Sequence, residues 1–338
     1  MRKPKWMRLG TVLLVVSFVF IGCSNKGGEQ KKISIQDETP LYTIFWVAQG
    51  FNDSIITASY SPDGKLIASG ADASDEYLHI SDASTGKLIK TIKTPHTWEV
   101  AFSPDGKTLA GGSHGTVKIW ETSTWTEVLI IPYVSTSLRS MTYSPDGKII
   151  ATSGLDSSVS LWDPVSGKKI KKINIDGFGW FVEFSPDGKY LATGGNPDVK
   201  VIEMSSGKVI LTLKGYIYDP MNTANNDTFT AVFSPNGLNL ITGGADRTIR
   251  IWEIPSGKMI NKFEKHQSAI KKLAITPDGK ILVSANWIDL NIYDLTLGKI
   301  IRVIPEIQKT VGMDISPDGK SIVTGGEDRI LRVWKLAN

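Results

Sequence analysis

One short run in the chain has the spacing of a catalytic nucleophile. Gly111-Gly112-Ser113-His114-Gly115 fits Gly-x-Ser-x-Gly, the pattern that holds a reactive serine on a strained turn between a strand and a helix in acyl-transfer enzymes. Here the run lies in a bend between two strand-like segments, so no nucleophile is expected. The four histidines, His79, His96, His114 and His266, are far apart and show no ligand spacing, whereas zinc requires three or four close nitrogen or sulfur donors. No phosphate-cradling glycine loop and no aspartate-rich calcium loop is present. These residues therefore predict no catalytic residue, no metal and no cofactor, and they make a small-molecule substrate an unexpected partner.

The aspartates that recur most regularly do so for a conformational reason. Ser61-Pro62-Asp63-Gly64 returns as Ser103-Pro104-Asp105-Gly106, Ser144-Pro145-Asp146-Gly147, Ser185-Pro186-Asp187-Gly188, Ser234-Pro235-Asn236-Gly237, Thr276-Pro277-Asp278-Gly279 and Ser316-Pro317-Asp318-Gly319. Proline presets φ, Asp or Asn bonds the local backbone, and glycine takes the left-handed position, so each copy is a tight turn. Alternating apolar residues flank it, as in Val100-Ala101-Phe102 and Thr108-Leu109-Ala110, which is the period of a half-buried strand. A glycine-rich or Asp-containing bend follows, then a strand ending in Ile119-Trp120-Glu121, Leu161-Trp162-Asp163, Ile251-Trp252-Glu253, Ile292-Tyr293-Asp294 or Val333-Trp334-Lys335. Second turns such as Ser166-Gly167-Lys168 lead into a fourth strand. Seven repeats of four short strands predict seven blades of a β-propeller.

The repeat resembles that of the WD40 family from about Leu41 to Asn338, with Ile80-Ser81-Asp82 and Val201-Ile202-Glu203 where Trp-Asp is typical. The fold it implies is an all-β, seven-bladed propeller occupying 39–338. The family's buried polar network is mostly missing. Its turn aspartate is present as Asp75, Asp156, Asp246 and Asp328, but His114, Asn196 and Trp287 stand there in the other repeats, and the family histidine appears only as His266. Cohesion is accordingly expected to rest chiefly on apolar packing between blades. The segment around Leu41 to Val47 precedes the first repeat, and the last repeat ends after its third strand. Joining the two would complete the seventh blade and remove an open sheet edge.

The N-terminus carries a different signal. Arg2, Lys3, Lys5 and Arg8 precede an apolar run from Leu9 to Gly22, too short for a bilayer core that takes ~20 helical residues to cross and suited to the apolar region of a signal peptide. The run ends Phe20-Ile21-Gly22-Cys23, with the chain's single cysteine behind a small residue. This resembles the lipobox of bacterial lipoproteins, with Phe20 where leucine is usual, and it implies lipidation of Cys23 after cleavage at 1–22. Residues 23–38, rich in Gly, Lys, Gln and Ser, read as a flexible tether. The localisation this implies is lipid-anchored at a bacterial cell membrane, facing the periplasm or the cell exterior. Without residues 1–22 the chain has 34 basic and 34 acidic side chains, so the basic excess expected of a nucleic-acid binder is absent from the folded part.

The two faces of such a propeller differ. The turn-bearing bottom carries Lys65, Lys107, Lys148, Lys189, Lys280 and Lys320, and the second turns add Lys87, Lys168, Lys208, Lys258 and Lys299. Against six turn aspartates this predicts a mildly basic rim, which anionic lipid attracts at ~1 kcal/mol per cation. On the top face, five residues before each turn, stand Ile56, Trp98, Arg139, Trp180, Phe229, Lys271 and Val311. The longest repeat inserts 215–228, with Tyr216, Tyr218 and Met221, into a top loop, and Trp287 occupies another. Aromatic and arginine side chains are the usual energetic anchors of interfaces. Trp98, Arg139, Trp180, Tyr216, Tyr218, Phe229, Lys271 and Trp287 are therefore the candidate contacts for a protein partner.

The sequence-level function is a non-catalytic interaction module or scaffold. Two alternatives are a structural subunit of an envelope assembly machine, separable by co-purification with an integral membrane complex, and a cofactor-dependent propeller enzyme. The enzyme requires acids, bases or ligands clustered at the channel mouth, where the residues are mainly apolar.

Overall fold

The computed structural model describes residues 42–72, 74–94, 96–113, 115–132, 138–196, 198–214, 227–264, 266–305 and 309–336. The chain divides into two units, 1–40 and 41–338. The described residues all fall in the second, so Cys23, the predicted signal segment and the tether lie outside them, as do His114, Tyr216, Tyr218 and Met221.

Unit 41–338 is a seven-bladed β-propeller of seven four-stranded antiparallel sheets, with no helix among the described residues. Six blades are consecutive in sequence and span 55–93, 99–132, 138–174, 178–213, 228–263 and 270–305. The seventh takes Thr310–Ile315, Ser321–Gly326 and Leu331–Leu336 from the end of the chain and Tyr42–Ala48 from its beginning. Tyr42 pairs with Leu336 and Ala48 with Leu331, across a bulge between Ile44 and Trp46. The predicted closure by the N-terminal segment is therefore present, and the chain enters it at the turn-bearing end of the blade.

The seven turns are built as their residues dictate. In the first, Ser61 Oγ donates to Asp63 Oδ1 at 2.7 Å, the Lys65 N–H donates to the same oxygen, and the Leu66 N–H donates back to Ser61 Oγ. Gly64 sits at φ +70°, in the left-handed region that glycine occupies without strain. Each turn glycine also faces the proline of the preceding blade's turn, from Gly64 against Pro317 to Gly319 against Pro277, so the turns form a continuous ring.

The core is distributed as seven apolar clusters, one at each blade-to-blade junction. The junction that closes the ring joins Val323, Leu331 and Val333 of blade 7 to Ile55, Tyr60 and Ile67 of blade 1. The next joins Ala68, Leu78 and Ile80 to Val100, Leu109 and Trp120. A pleated blade buries both faces this way, which is why its middle strands are almost continuously buried.

Apolar packing is nevertheless not the whole account. Trp162, Trp252 and Trp334 donate their indole N–H to Thr152, Thr242 and Thr324, each at 2.9 Å in a buried setting. Asp246 pairs with Arg250 and Asp328 with Arg332, both at 2.6 Å. In blade 6, Tyr293 stands where tryptophan is typical, and its hydroxyl meets His266, which Asn291 also contacts. The expectation of mainly apolar cohesion is corrected to this extent: threonine ten residues before tryptophan restores part of the polar network in three blades.

Two outcomes follow. Thr324→Val keeps the shape but leaves the buried Trp334 N–H without its acceptor, so chemical denaturation is expected to show a loss of about 1–3 kcal/mol. Deleting 42–48 removes a whole sheet edge's worth of pairing and the Trp46 Nε1 bond to the Ala83 carbonyl at 2.9 Å. Calorimetry of the deletion should show the single cooperative melt of the full chain replaced by a broad transition at lower temperature.

Candidate interaction site at the channel mouth

Seven innermost strands surround a central channel of ≈ 800 Å³. They are Ile55–Tyr60, Glu99–Phe102, Leu138–Tyr143, Phe178–Phe184, Thr228–Phe233, Ile270–Ile275 and Thr310–Ile315. In six of them the register shifts by one residue at the top, between Leu138 and Ser140 or between Ile270 and Lys272 for example. The residue left unpaired by the bulge is Ile56, Arg139, Trp180, Phe229, Lys271 or Val311. A bulge re-aims the side chain it carries, and these six, with Trp98 ahead of the seventh strand, line the mouth. The spacing of five residues before the turn is visible in sequence; the bulge that turns it into a ring of mouth residues is not.

From Trp98 to Trp287 the mouth residues touch one another in order along the rim. The Arg139 guanidinium lies 4.7 Å from the Trp98 ring and 5.0 Å from the Trp180 ring. Trp180 meets Phe229 edge to face at 5.8 Å. The Lys271 ammonium sits 3.5 Å from the Phe229 ring and 4.7 Å from the Trp287 ring. Trp287, in the loop after Ile281–Asn286, is 46% exposed and forms the outer lip. Six of the eight predicted contact residues are thus brought together, while Tyr216 and Tyr218 lie outside the described residues.

Close backbone approach makes room for these rings. Gly195 has φ +145°, and a Cβ there would come within 2.6 Å of Trp180 Cδ1. On the other flank, His96 packs edge-on against Trp98 at 4.4 Å and pairs with Asp72 at 3.0 Å. Sequence reading passed over His96 as an isolated histidine, since nothing local links it to the mouth.

Deeper in the channel the chemistry changes sign. Lys272 reaches from blade 6 to Glu99 of blade 2 at 3.1 Å, and Glu99 also accepts from Thr57 Oγ1 at 3.0 Å. Glu183 and Asp314 lie two residues further along their strands. Burial pushes the Glu183 carboxyl up to about 8, with Lys272 opposing the shift. Burial likewise pushes Asp314 up to about 6, against the N–H bonds it accepts from Tyr60 and Ile315. At the mouth, desolvation pushes Lys271 down to about 8, with Asp227 pulling the other way, and it lowers Arg139 as well.

The predicted basic rim on the opposite face does not form. Lys65, Lys107, Lys148, Lys189 and Lys280 each pair with the aspartate of their own turn at 2.9–3.7 Å. The second turns bring Asp82, Glu121, Asp163, Glu203, Glu253 and Asp294 to the same face, so twelve carboxylates stand against eleven lysines. Setting the lysines of both turn sets against the acids of the first alone overlooked these second-turn carboxylates.

No group of His, Cys, Asp and Glu among the described residues has the arrangement to hold a metal. Ser113 lies at the end of Thr108–Ser113, in an antiparallel hairpin with Thr116–Glu121, and its hydroxyl meets Thr116 Oγ1 at 3.2 Å.

The WD domain, G-beta repeat family matches residues 86–121, 132–163, 180–203, 208–253, 257–290 and 298–335, together more than half of the chain. The protein belongs to the WD40-repeat family. Similar curated proteins include the p21-activated protein kinase-interacting protein 1-like protein of Danio rerio, 26% identical over 52% of this chain and 46% of the relative. The small ribosomal subunit protein RACK1 of Drosophila melanogaster is 28% identical over 35% and 37%. The WD repeat-containing protein VIP3 of Arabidopsis thaliana is 27% identical over 70% and 79%. This WD40 chain therefore spans less than half the length of the first two and about four fifths of the third.

The channel acids yield a pH dependence. Between about 4.5 and about 8 the unfolded chain releases the Glu183 proton that the folded propeller retains, so stability falls as pH rises through that window. Glu183→Gln should raise the melting temperature at pH 8 by several degrees and leave it unchanged at pH 4, as read by differential scanning fluorimetry.

Proposed function

We propose that this WD40 propeller is a non-catalytic, lipid-anchored scaffold on the outer side of a bacterial membrane, and that it docks a protein partner on its channel mouth. One observation carries the docking surface: Trp98, Arg139, Trp180, Phe229, Lys271 and Trp287 form a continuous arc of aromatic and cationic contacts along the channel rim, spanning five of the seven blades. Such side chains bury large areas for few lost rotamers and dominate interface energetics. The WD40 relatives support the same reading, since one is a p21-activated protein kinase-interacting protein 1-like protein.

The anchoring part rests on the sequence. Cys23 follows a basic segment and an apolar run, and two or more acyl chains, at ~0.8 kcal/mol per buried methylene, hold a folded domain stably at a bilayer. With the turn-bearing rim neutral in charge, the lipid rather than the lysines supplies the membrane affinity.

Two measurements test the proposal. Cys23→Ala should shift the protein from the membrane fraction to the soluble fraction of host cells, and retention in the membrane would overturn the anchor. Trp98→Ala combined with Trp180→Ala should reduce crosslinking to the native partner by tenfold or more, since loss of a central aromatic costs about 2 kcal/mol or more. Undiminished crosslinking by a folded double variant would remove the mouth from the interface.

A further inference from the structure

We propose that the segment taken by the channel mouth is an acidic peptide of the partner, its carboxylates met by Arg139 and Lys271 and its apolar side chains by the surrounding rings. The inference deepens the docking role assigned to the mouth above and rests on that reading.

Among the described buried or half-buried cations, the two at the rim share their setting with Lys335, 3.5 Å from the Phe45 ring, and differ from the others. Arg250, Arg332 and Lys272 each face a carboxylate at 2.6, 2.6 and 3.1 Å. Arg139 and Lys271 face aromatic rings instead, with no ion pair to any described residue. A ring face returns only part of the hydration that a cation gives up, so both charges are left for an incoming anion to complete. Burial also depresses the Lys271 ammonium, against the pull of the Asp227 carboxylate.

Geometry narrows the ligand further. Indole rings approach the Arg139 guanidinium from Trp98 and Trp180, which leaves its edge to recognise a ligand, the direction in which the group binds a carboxylate through two parallel bonds. Two buried polar atoms of the rim, Arg139 Nε and Trp180 Nε1, lack a hydrogen-bond partner. Both are donors. The complementary ligand is therefore an acceptor, and the neighbouring Phe229 and Trp287 surfaces require that it also carry apolar groups.

Depth sets a limit. Below the rim, Lys272 is already taken by Glu99 at 3.1 Å, so an anion that moved down the channel would meet the Asp314 carboxylate in a poorly solvated space with that cation engaged. The acidic groups must stay at the rim, which fits an extended segment lying across the mouth. A chain of phosphates fits poorly, because its charge density calls for a cluster of cations, and the rim offers one guanidinium and one ammonium, with Glu327 lining the same cavity and paired to Lys309.

An unbiased probe tests this. A displayed random dodecapeptide library is selected on the full chain, and in parallel on Arg139→Gln/Lys271→Met, on Trp98→Ala and on Lys320→Met at the opposite face. The expected result is enrichment of Asp- and Glu-containing peptides that persists with Lys320→Met and disappears with the double variant. A synthesised winner should then bind about tenfold more weakly to each single rim variant, the loss expected for one charge-assisted bond, and more weakly as salt is raised. Melting temperatures of Arg139→Gln and Lys271→Met should fall by no more than a few degrees, because each loses only cation–ring contacts and no ion pair. Neutral or basic winners that Trp98→Ala abolishes would overturn the acidic ligand while leaving the mouth as a docking surface. Acidic winners retained by the double variant, or no enrichment at all, would overturn the proposal, and the crosslinking measurement reads the fate of the docking surface separately.

Discussion

The propeller depends on one pairing, that of Tyr42–Ala48 with Leu331–Leu336. No blade could satisfy itself in isolation, because each apolar cluster is shared between neighbouring blades. A ring of such units is stable only if the last finds the first. Placing the two ends of the chain in one sheet converts that requirement into backbone hydrogen bonds, and the cluster around Val323, Val333, Ile55 and Ile67 then completes the apolar circuit. The cost is a long-range contact that forms late, since loop closure over nearly the whole chain must precede it.

From this closed ring the channel mouth follows. Seven inner strands held at fixed spacing bring seven bulge or pre-strand positions to one rim, and chain-distant residues become neighbours: Trp98 and Trp180 meet through Arg139, and Phe229 and Trp287 through Lys271. The same repetition places Glu99, Glu183 and Asp314 at deeper levels. The channel is thus layered, with cations against rings above and acidic side chains below. Such layering admits an anionic ligand at the rim and discourages it from going further. Rigidity of the strands keeps the rings oriented before any partner arrives, which reduces the ordering cost of association.

The rim and the turn-bearing face show how pairing decides whether a charge is available. The turn lysines sit beside aspartates whose own carboxyls are held low, first by the serine or threonine hydroxyl in most turns and first by Lys189 for Asp187, at about 2. Their charges are satisfied locally, and that face is neutral. Arg139 and Lys271, by contrast, lie against rings and form no ion pair with a described residue. Equal side-chain types therefore differ in function through what the fold sets against them.

Much of the architecture was legible in the chain alone. Ser-Pro-Asp-Gly turns at a period near forty residues, with alternating apolar flanks, specify blades because turn chemistry and strand period are local properties. The five-residue offset even named the mouth residues, since every inner strand ends at the residue before its turn. Tertiary structure decided the rest. The bulges that aim Arg139 and Lys271, the Trp–Thr bonds of blades 3, 5 and 7, the His96–Asp72 support behind Trp98 and the second set of acids that neutralises the turn face all arise between segments far apart in sequence or from register within a sheet. Those relations depend on which strands become neighbours, and only the closed ring settles that.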